Sequence, residues 1–74
     1  MRIRLNGHPE LVTDLRDHLR AAGCIAVEMA EDTIEATIAD APTVEQEARE
    51  MRAYVRAWVA TRNVEPELVH LEPD

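Results

Sequence analysis

Residues 24 to 39, "CIAVEMAEDTIEATIA", contain two alternating apolar runs on either side of the dipeptide Glu31-Asp32. Alternation with a period of two is typical of a half-buried β-strand, and two such runs around a short polar turn predict a β-hairpin. We expect the larger apolar side chains of each run to face inward. In the first run these are Ile25, Val27 and Met29, and in the second Ile34, Ala36 and Ile38.

A strand and an amphipathic helix precede the hairpin. The first strand, "RIRL", would point Ile3 and Leu5 inward. Pro9 suits the first position of a helix and Gly23 suits the left-handed position after its end, so the helix should cover about residues 9–22. Its apolar residues fall within about 100° of a helical wheel. They are Leu11, Val12, Leu15, Leu19 and Ala22.

A second helix follows the hairpin. Thr43 and Gln46 have the spacing of a capping box, in which both side chains satisfy backbone groups at a helix start. Asn63 suits the left-handed end of a helix and Pro66 prevents continuation, so we expect the last turn near Arg62. The apolar seam of this helix repeats at spacings of four and three. It contains Val44, Ala48, Met51, Val55 and Trp58.

The run "ELVHL" predicts a fourth strand with Val69 and Leu71 inward and with Leu68 and His70 outward, the opposite register being the alternative. The element order is then β-α-β-β-α-β, the ferredoxin-like plan of an α+β fold. Two right-handed crossovers would place both helices on one face of a four-stranded antiparallel sheet. Residues 1–74 should form a single domain.

The other sheet face is predicted to be polar and to lack aromatic side chains. RNA-binding sheets of this type stack bases on exposed rings, so we exclude that class. Arg2 and Arg4 lie beside Glu35 in the predicted sheet and should form cross-strand ion pairs. The full predicted face comprises Arg2, Arg4, Cys24, Ala26, Glu28, Thr33, Glu35, Thr37, Leu68, His70 and Glu72.

Charge and composition exclude several functions. A formal net charge of −7 opposes binding to nucleic acid and to anionic membranes. No apolar run approaches the roughly 18 residues that a membrane span needs. Cys24 is the single cysteine, which suits a reducing cytoplasm. With no HxxxH, HExxH or CxxC spacing, no metal or other cofactor is expected.

Catalysis is also disfavoured. The chain has no serine and no phosphate-binding glycine loop. An enzyme or accessory protein that uses Cys24, His18 or His70 remains the alternative function. His18 lies one helical turn after Asp14, which predicts a hydrogen bond between their side chains.

The second helix carries the only tyrosine and the only tryptophan. Trp58 lies inside the apolar arc and Tyr54 at its edge. One interpretation is that Trp58 closes the core with its indole N–H at the surface. The other is that Met51, Tyr54 and Trp58 contact a second subunit, and because a short chain gains from association we expect a homodimer.

Three arginines form a stripe on the opposite side of the same helix: Arg49, Arg52 and Arg56. Such a stripe can bind a phosphate or an acidic partner. Glu45 lies on the same stripe, four residues before Arg49, so a solvated face with weak ion pairs is the default interpretation.

The run from Leu5 to Val27, "LNGHPELVTDLRDHLRAAGCIAV", resembles the first strand, helix and second-strand entry of ACT-like regulatory domains. The resemblance implies a dimer that binds small effectors at subunit interfaces. It departs where that family usually has glycine after the proline, because Glu10 stands there. The predicted function is a non-catalytic interaction or regulatory module that self-associates and binds a protein or small effector. The candidate effector turn is Asn6, Gly7, His8 and Glu10.

Overall fold

The computed structural model describes residues 1–72, which form one four-stranded antiparallel sheet and two helices. The strand order is β2-β3-β1-β4, so the predicted ferredoxin-like α+β fold is confirmed. Both helices cover one face of the sheet and trap the core against it. The elements are β1 (Arg2–Leu5), α1 (Pro9–Ala21), β2 (Ile25–Ala30), β3 (Thr33–Thr37), α2 (Val44–Arg62), a 3-10 turn (Pro66–Leu68) and β4 (Val69–Glu72).

The central strand β1 sets which side chains of its neighbours face the helices. Ile3 is fully buried and pairs with Ile34 of β3 and with Leu71 of β4. Directly opposed residues share a sheet face, so Leu71 must point to the helices as Ile3 does. The predicted inward register of the last strand is therefore confirmed. The strand begins two residues later than predicted, because Glu67 and Leu68 belong to the 3-10 turn.

The helix ends follow the predicted capping residues. The Gln46 backbone N–H donates to Thr43 Oγ1 at 3.0 Å, which is one half of the predicted capping box. Asn63 adopts a left-handed conformation with φ 56° and ends α2. Val44, at the first position of α2, is 69% exposed, so its predicted place in the apolar seam is wrong. The first turn of α2 extends beyond the part of the helix that packs on the core.

Trp58 joins the two helices. Its side chain is 1% exposed and its indole N–H donates a 2.7 Å hydrogen bond to Asp14 Oδ2 on α1. The same carboxylate oxygen lies 2.9 Å from Nε of Arg62. A buried indole N–H needs a partner, and Asp14 supplies it. Around Trp58 the largest fully buried side chains are Ile3, Leu5, Val12, Leu15, Leu19, Ile34 and Met51.

The predicted facing of β2 is wrong. Cys24, just before the strand, and Ala26 point into the core, whereas Ile25 and Val27 are exposed. Ile25 pairs with Thr37 and Val27 with Glu35, which places both apolar side chains on the open face of the sheet. The strand thus presents its larger apolar residues to solvent.

The end of α1 explains this register. Gly23, with φ +94°, donates its N–H to the Arg20 carbonyl at 3.0 Å, and the Cys24 N–H donates to the Leu19 carbonyl at 2.9 Å. This pair of bonds is a Schellman motif, in which the second residue after the helix folds back onto its last turn. Cys24 is therefore turned toward the core, and the period of two carries Ala26 inward and Ile25 outward. Ala26 lies opposite Ala36, so two small side chains face α1.

Candidate functional site

The open sheet face has a charged centre and an apolar edge. Arg2 Nε lies 3.8 Å from Glu35 Oε2, and Arg4 lies 3.1 Å from Glu72 Oε1. The predicted Arg2–Glu35 ion pair is confirmed, but Arg4 pairs with β4 instead of β3. The four side-chain charges cancel and the N-terminal ammonium lies 3.3 Å from Glu35 Oε1, so the centre of this face carries no net negative charge.

Along the edge of the same face runs a row of exposed apolar side chains, which we name the β2 strip: Ile25, Val27 and Met29. Their exposed fractions are 56%, 49% and 59%. Met29 occupies a β-bulge between Glu28 and Ala30, which adds one residue to β2 relative to β3. Large apolar residues grouped at about half exposure mark an interaction surface better than isolated ones do.

The hydrogen-bonding edge of β2 is partly occupied by side chains of α1. The Arg20 guanidinium donates two hydrogen bonds to the Ala26 carbonyl, at 3.1 and 2.8 Å. Arg16 forms an ion pair with Glu28 at 2.5 Å. The Glu28 side chain thus lies on the helix side, and its predicted place on the open face is wrong. Because this edge is partly occupied, a partner can contact the side chains of the β2 strip more readily than it can pair with the backbone of β2.

A second apolar surface lies between α2 and β4. This groove has a volume of about 370 Å³, and we name it the α2–β4 groove. Val69 and Leu71 are only half-buried although they point toward the helices. Arg52 and Arg56 are both exposed and stand on its α2 side. The full lining is Arg52, Val55, Arg56, Val59, Pro66, Val69 and Leu71.

Two of the three arginines of the predicted anion stripe contribute to the α2–β4 groove. Arg52 and Arg56 line the α2–β4 groove, whereas Arg49 is exposed outside it. Neither Arg52 nor Arg56 forms an ion pair with another residue in the described range 1–72. Arg52 also lines an adjoining polar cavity of about 450 Å³ that continues around β4.

The predicted effector turn is assembled in one place but carries its own anion. Gly7 adopts φ +70°, and His8 Nδ1 lies 2.9 Å from Glu10 Oε1 at the start of α1. The hydrogen bond from His8 lowers the pKa of the Glu10 carboxyl. An anionic effector at this helix start would therefore meet a carboxylate that is already ionised. Asn6 contributes to the polar cavity beside β4 instead.

The residues predicted at a subunit contact belong mainly to the core. Met51 and Trp58 are buried, and Tyr54 is half-buried. Tyr54 accepts a 3.1 Å hydrogen bond at its carbonyl oxygen from His18 Nε2. The predicted bond between His18 and Asp14 is wrong, because Asp14 accepts from Trp58. Met51 and Trp58 are packed too deeply to offer a partner a surface, which favours the interpretation that Trp58 closes the core.

The three candidate catalytic residues do not converge. Cys24 leads into β2 on the helix side, whereas His70 lies on the open face of β4. These strands are the two edges of the sheet, about 14 Å apart at 4.7–4.9 Å per strand. His18 uses Nε2 to bond the Tyr54 carbonyl. The fold therefore provides no pair of these groups within hydrogen-bonding reach.

Cys24 should react slowly with thiol reagents at pH 7. Burial raises the pKa of its thiol, and the nearby carboxylates of Glu50 and Glu47 raise it further. Since the thiolate is the reactive form, we expect the folded chain to react more than about tenfold more slowly than the chain in urea. Both rates can be measured from the absorbance of the thiolate that a chromogenic disulfide reagent releases when it reacts. Equal rates would contradict the assignment of Cys24 to the core.

Sequence reasoning missed both the β2 strip and the α2–β4 groove. A signal for the first was present, because glycine followed by a small apolar residue after a helix is the pattern of a Schellman motif. The groove had no such signal, since it joins Val59 of α2 to Val69 of β4 across the fold.

Within residues 1–72, His, Cys, Asp and Glu side chains do not gather in a group of three that could hold a metal ion. In the same range, neither helix combines the length and apolarity that crossing a membrane requires. Comparison with protein-family models, curated proteins and solved structures finds no match to this chain. The ACT-like resemblance of residues 5–27 therefore stays a prediction.

Proposed function

We propose that the protein is a non-catalytic interaction module that self-associates through the open face of its sheet. The β2 strip carries this proposal, because it exposes three large apolar side chains beside a patch that has no net negative charge, in a chain that is acidic as a whole. Burying such side chains between two copies removes apolar surface from water. A second copy of the same chain is the occupant to which we commit.

Charge explains why this face suits a second copy. Two chains of net charge −7 repel each other wherever their acidic surfaces meet. On the open face the side chains of Arg2 and Arg4 balance those of Glu35 and Glu72. Two copies that meet there bring no excess of negative charge into contact.

The β2 strip is also self-complementary. Val27 stands at its centre, with Ile25 and Met29 two residues to either side. A two-fold axis through Val27 brings Ile25 of one copy against Met29 of the second copy, as an isologous contact requires. Stable interfaces bury about 800 Å² per partner, which is more than three side chains supply. The polar centre of the face must contribute, so we expect a weak and reversible dimer.

Two further features support a non-catalytic module of the cytoplasm. Cys24 is buried with a raised pKa, and His70 lies at the opposite edge of the sheet. A nucleophile needs an adjacent base or a lowered pKa, and this arrangement favours neither. A lone buried thiol also suits a reducing compartment.

Sedimentation equilibrium tests the dimer. For a dissociation constant of about 100 µM, the apparent mass of the wild type should rise toward twice the monomer mass between about 10 µM and about 1 mM protein. Val27→Lys should keep the monomer mass throughout, because a lysine on the strip must be desolvated on association. Its ammonium lies opposite Glu35 within the sheet, so folding should be preserved.

Val44→Lys is the matched control. It makes the same change in charge and side chain at another exposed valine, at the start of α2 and outside the open face. We expect it to dimerise as the wild type does. A wild type that stays monomeric up to about 1 mM would refute self-association, and equal disruption by both lysine variants would refute the role of the β2 strip.

A further inference from the structure

We propose that the α2–β4 groove binds a small organic anion that carries an apolar tail, such as a medium-chain carboxylate. The carboxylate would lie between Arg52 and Arg56, and the tail would cover the apolar floor formed by β4 and α2. This site is independent of the proposed dimer. The groove is on the helix side of β4, whereas the β2 strip is on the open face at the other edge of the sheet.

The size and lining of the groove fit a small molecule. Its volume of about 370 Å³ is within the range of about 300 to 1,000 Å³ that is usual for ligand sites. Val69 and Leu71 of β4 remain half-buried beneath it, and Val59 of α2 is half-buried beside them. An apolar tail laid on these residues would complete the burial that the fold leaves unfinished.

The charges of the groove select an anion. Arg52 and Arg56 are four residues apart on α2, so their side chains are neighbours on the helix surface, and like charges at this spacing repel. A carboxylate between them removes this repulsion and accepts charge-assisted hydrogen bonds from both. The seven residues that line the groove include no aspartate or glutamate, although the chain carries 15 acidic residues. The positive charge is therefore available to a ligand.

The α2–β4 groove requires both the anionic group and the apolar tail of the ligand. An inorganic anion would leave the apolar floor uncovered, and a neutral apolar molecule would leave Arg52 and Arg56 without a counter-charge. Octanoate combines the two properties, octanol retains only the tail, and acetate retains only the charge. These three compounds therefore separate the contributions of the floor and of the arginines.

The experiment is an amide NMR titration of the folded chain with each compound. We expect octanoate to shift the amides of Arg52, Val55, Val59, Val69 and Leu71, and to bind at least about tenfold more tightly than octanol or acetate. The double variant R52Q/R56Q should lose about tenfold in octanoate affinity, since each exposed charge pair contributes modestly. The control Arg49→Gln removes an exposed arginine of the same helix outside the groove, and it should bind octanoate as the wild type does.

Three outcomes would overturn the proposal. The first is the absence of octanoate-induced shifts at the groove, including the case in which the shifts map to the β2 strip instead. The second is octanol binding as tight as that of octanoate, with no effect of R52Q/R56Q. The third is an equal loss of affinity in R52Q/R56Q and in Arg49→Gln, which would indicate general charge attraction. The amide spectra of all variants report their folding directly, so a loss of binding is not confused with unfolding.

Discussion

Replacing Trp58 with alanine should remove most of the stability of the fold. The indole is 1% exposed between the two helices, and truncating such a side chain costs about 3–5 kcal/mol. A chain of 74 residues has a total stability of only about 4–11 kcal/mol at 0.05–0.15 kcal/mol per residue. We therefore expect Trp58→Ala to be largely unfolded at 37 °C or to unfold at much lower urea concentration, as measured by far-UV circular dichroism.

Two controls separate the packing of Trp58 from its hydrogen bond. Trp58→Phe keeps an aromatic ring but removes the 2.7 Å bond to Asp14, so it should cost less than Trp58→Ala, about 1–3 kcal/mol. Asp14→Asn keeps an oxygen that accepts a neutral hydrogen bond from the indole and loses the exposed ion pair with Arg62, so it should cost only about 1–2 kcal/mol. A Trp58→Ala protein as stable as Asp14→Asn would contradict the burial of the indole.

Changing the size of a side chain on β2 should destabilise the fold at the buried Ala26 but not at the exposed Ile25. Ala26→Ile places three more carbon atoms beneath α1 and opposite Ala36, and overpacking of this kind costs about 1–3 kcal/mol. Ile25→Ala removes a side chain that is 56% exposed and should cost less than about 1 kcal/mol. Urea unfolding followed by Trp58 fluorescence measures both.

The same pair of variants distinguishes the two possible facings of the strand. If Ile25 pointed inward, Ile25→Ala would cost about 2–5 kcal/mol and Ala26→Ile would be tolerated at the surface. That reversed order of stabilities would refute the observed register. The measurement belongs at about 1 µM protein, where mass action keeps a weak dimer dissociated and the variants report on the monomer alone.

The difference between the predicted and the observed inward-facing residues of β2 shows a limit of predictions from residue patterns. Alternation alone indicates which residues share a face but not which face is inward. Side-chain size favours Ile25 over Ala26 as the inward residue. The Schellman motif at Gly23 and Cys24 reverses this preference by turning Cys24 toward the core. Val44 is likewise exposed although its spacing predicts burial, because it continues the helical repeat of α2 beyond the core.

The predicted contact surfaces show a second limit. The wheel of α2 placed Trp58 and Arg52 on different sides of the helix, which the structure bears out, since Trp58 is buried and Arg52 exposed. What the wheel could not show is that β4 approaches Arg52 closely enough to form a groove. Nor could it show that Asp14 of α1 accepts a hydrogen bond from the indole N–H of Trp58.

The order of the elements, the start of α2 at its capping threonine and its end at Asn63 can all be predicted from local residue patterns. These features depend on contacts within a few residues, such as the bond from the Gln46 N–H to Thr43. The outward face of β2, the α2–β4 groove and the partner of Trp58 follow from the packing of the folded chain. Each of these depends on which distant segments meet, and the free energy of that choice is shared among side chains far apart in the chain.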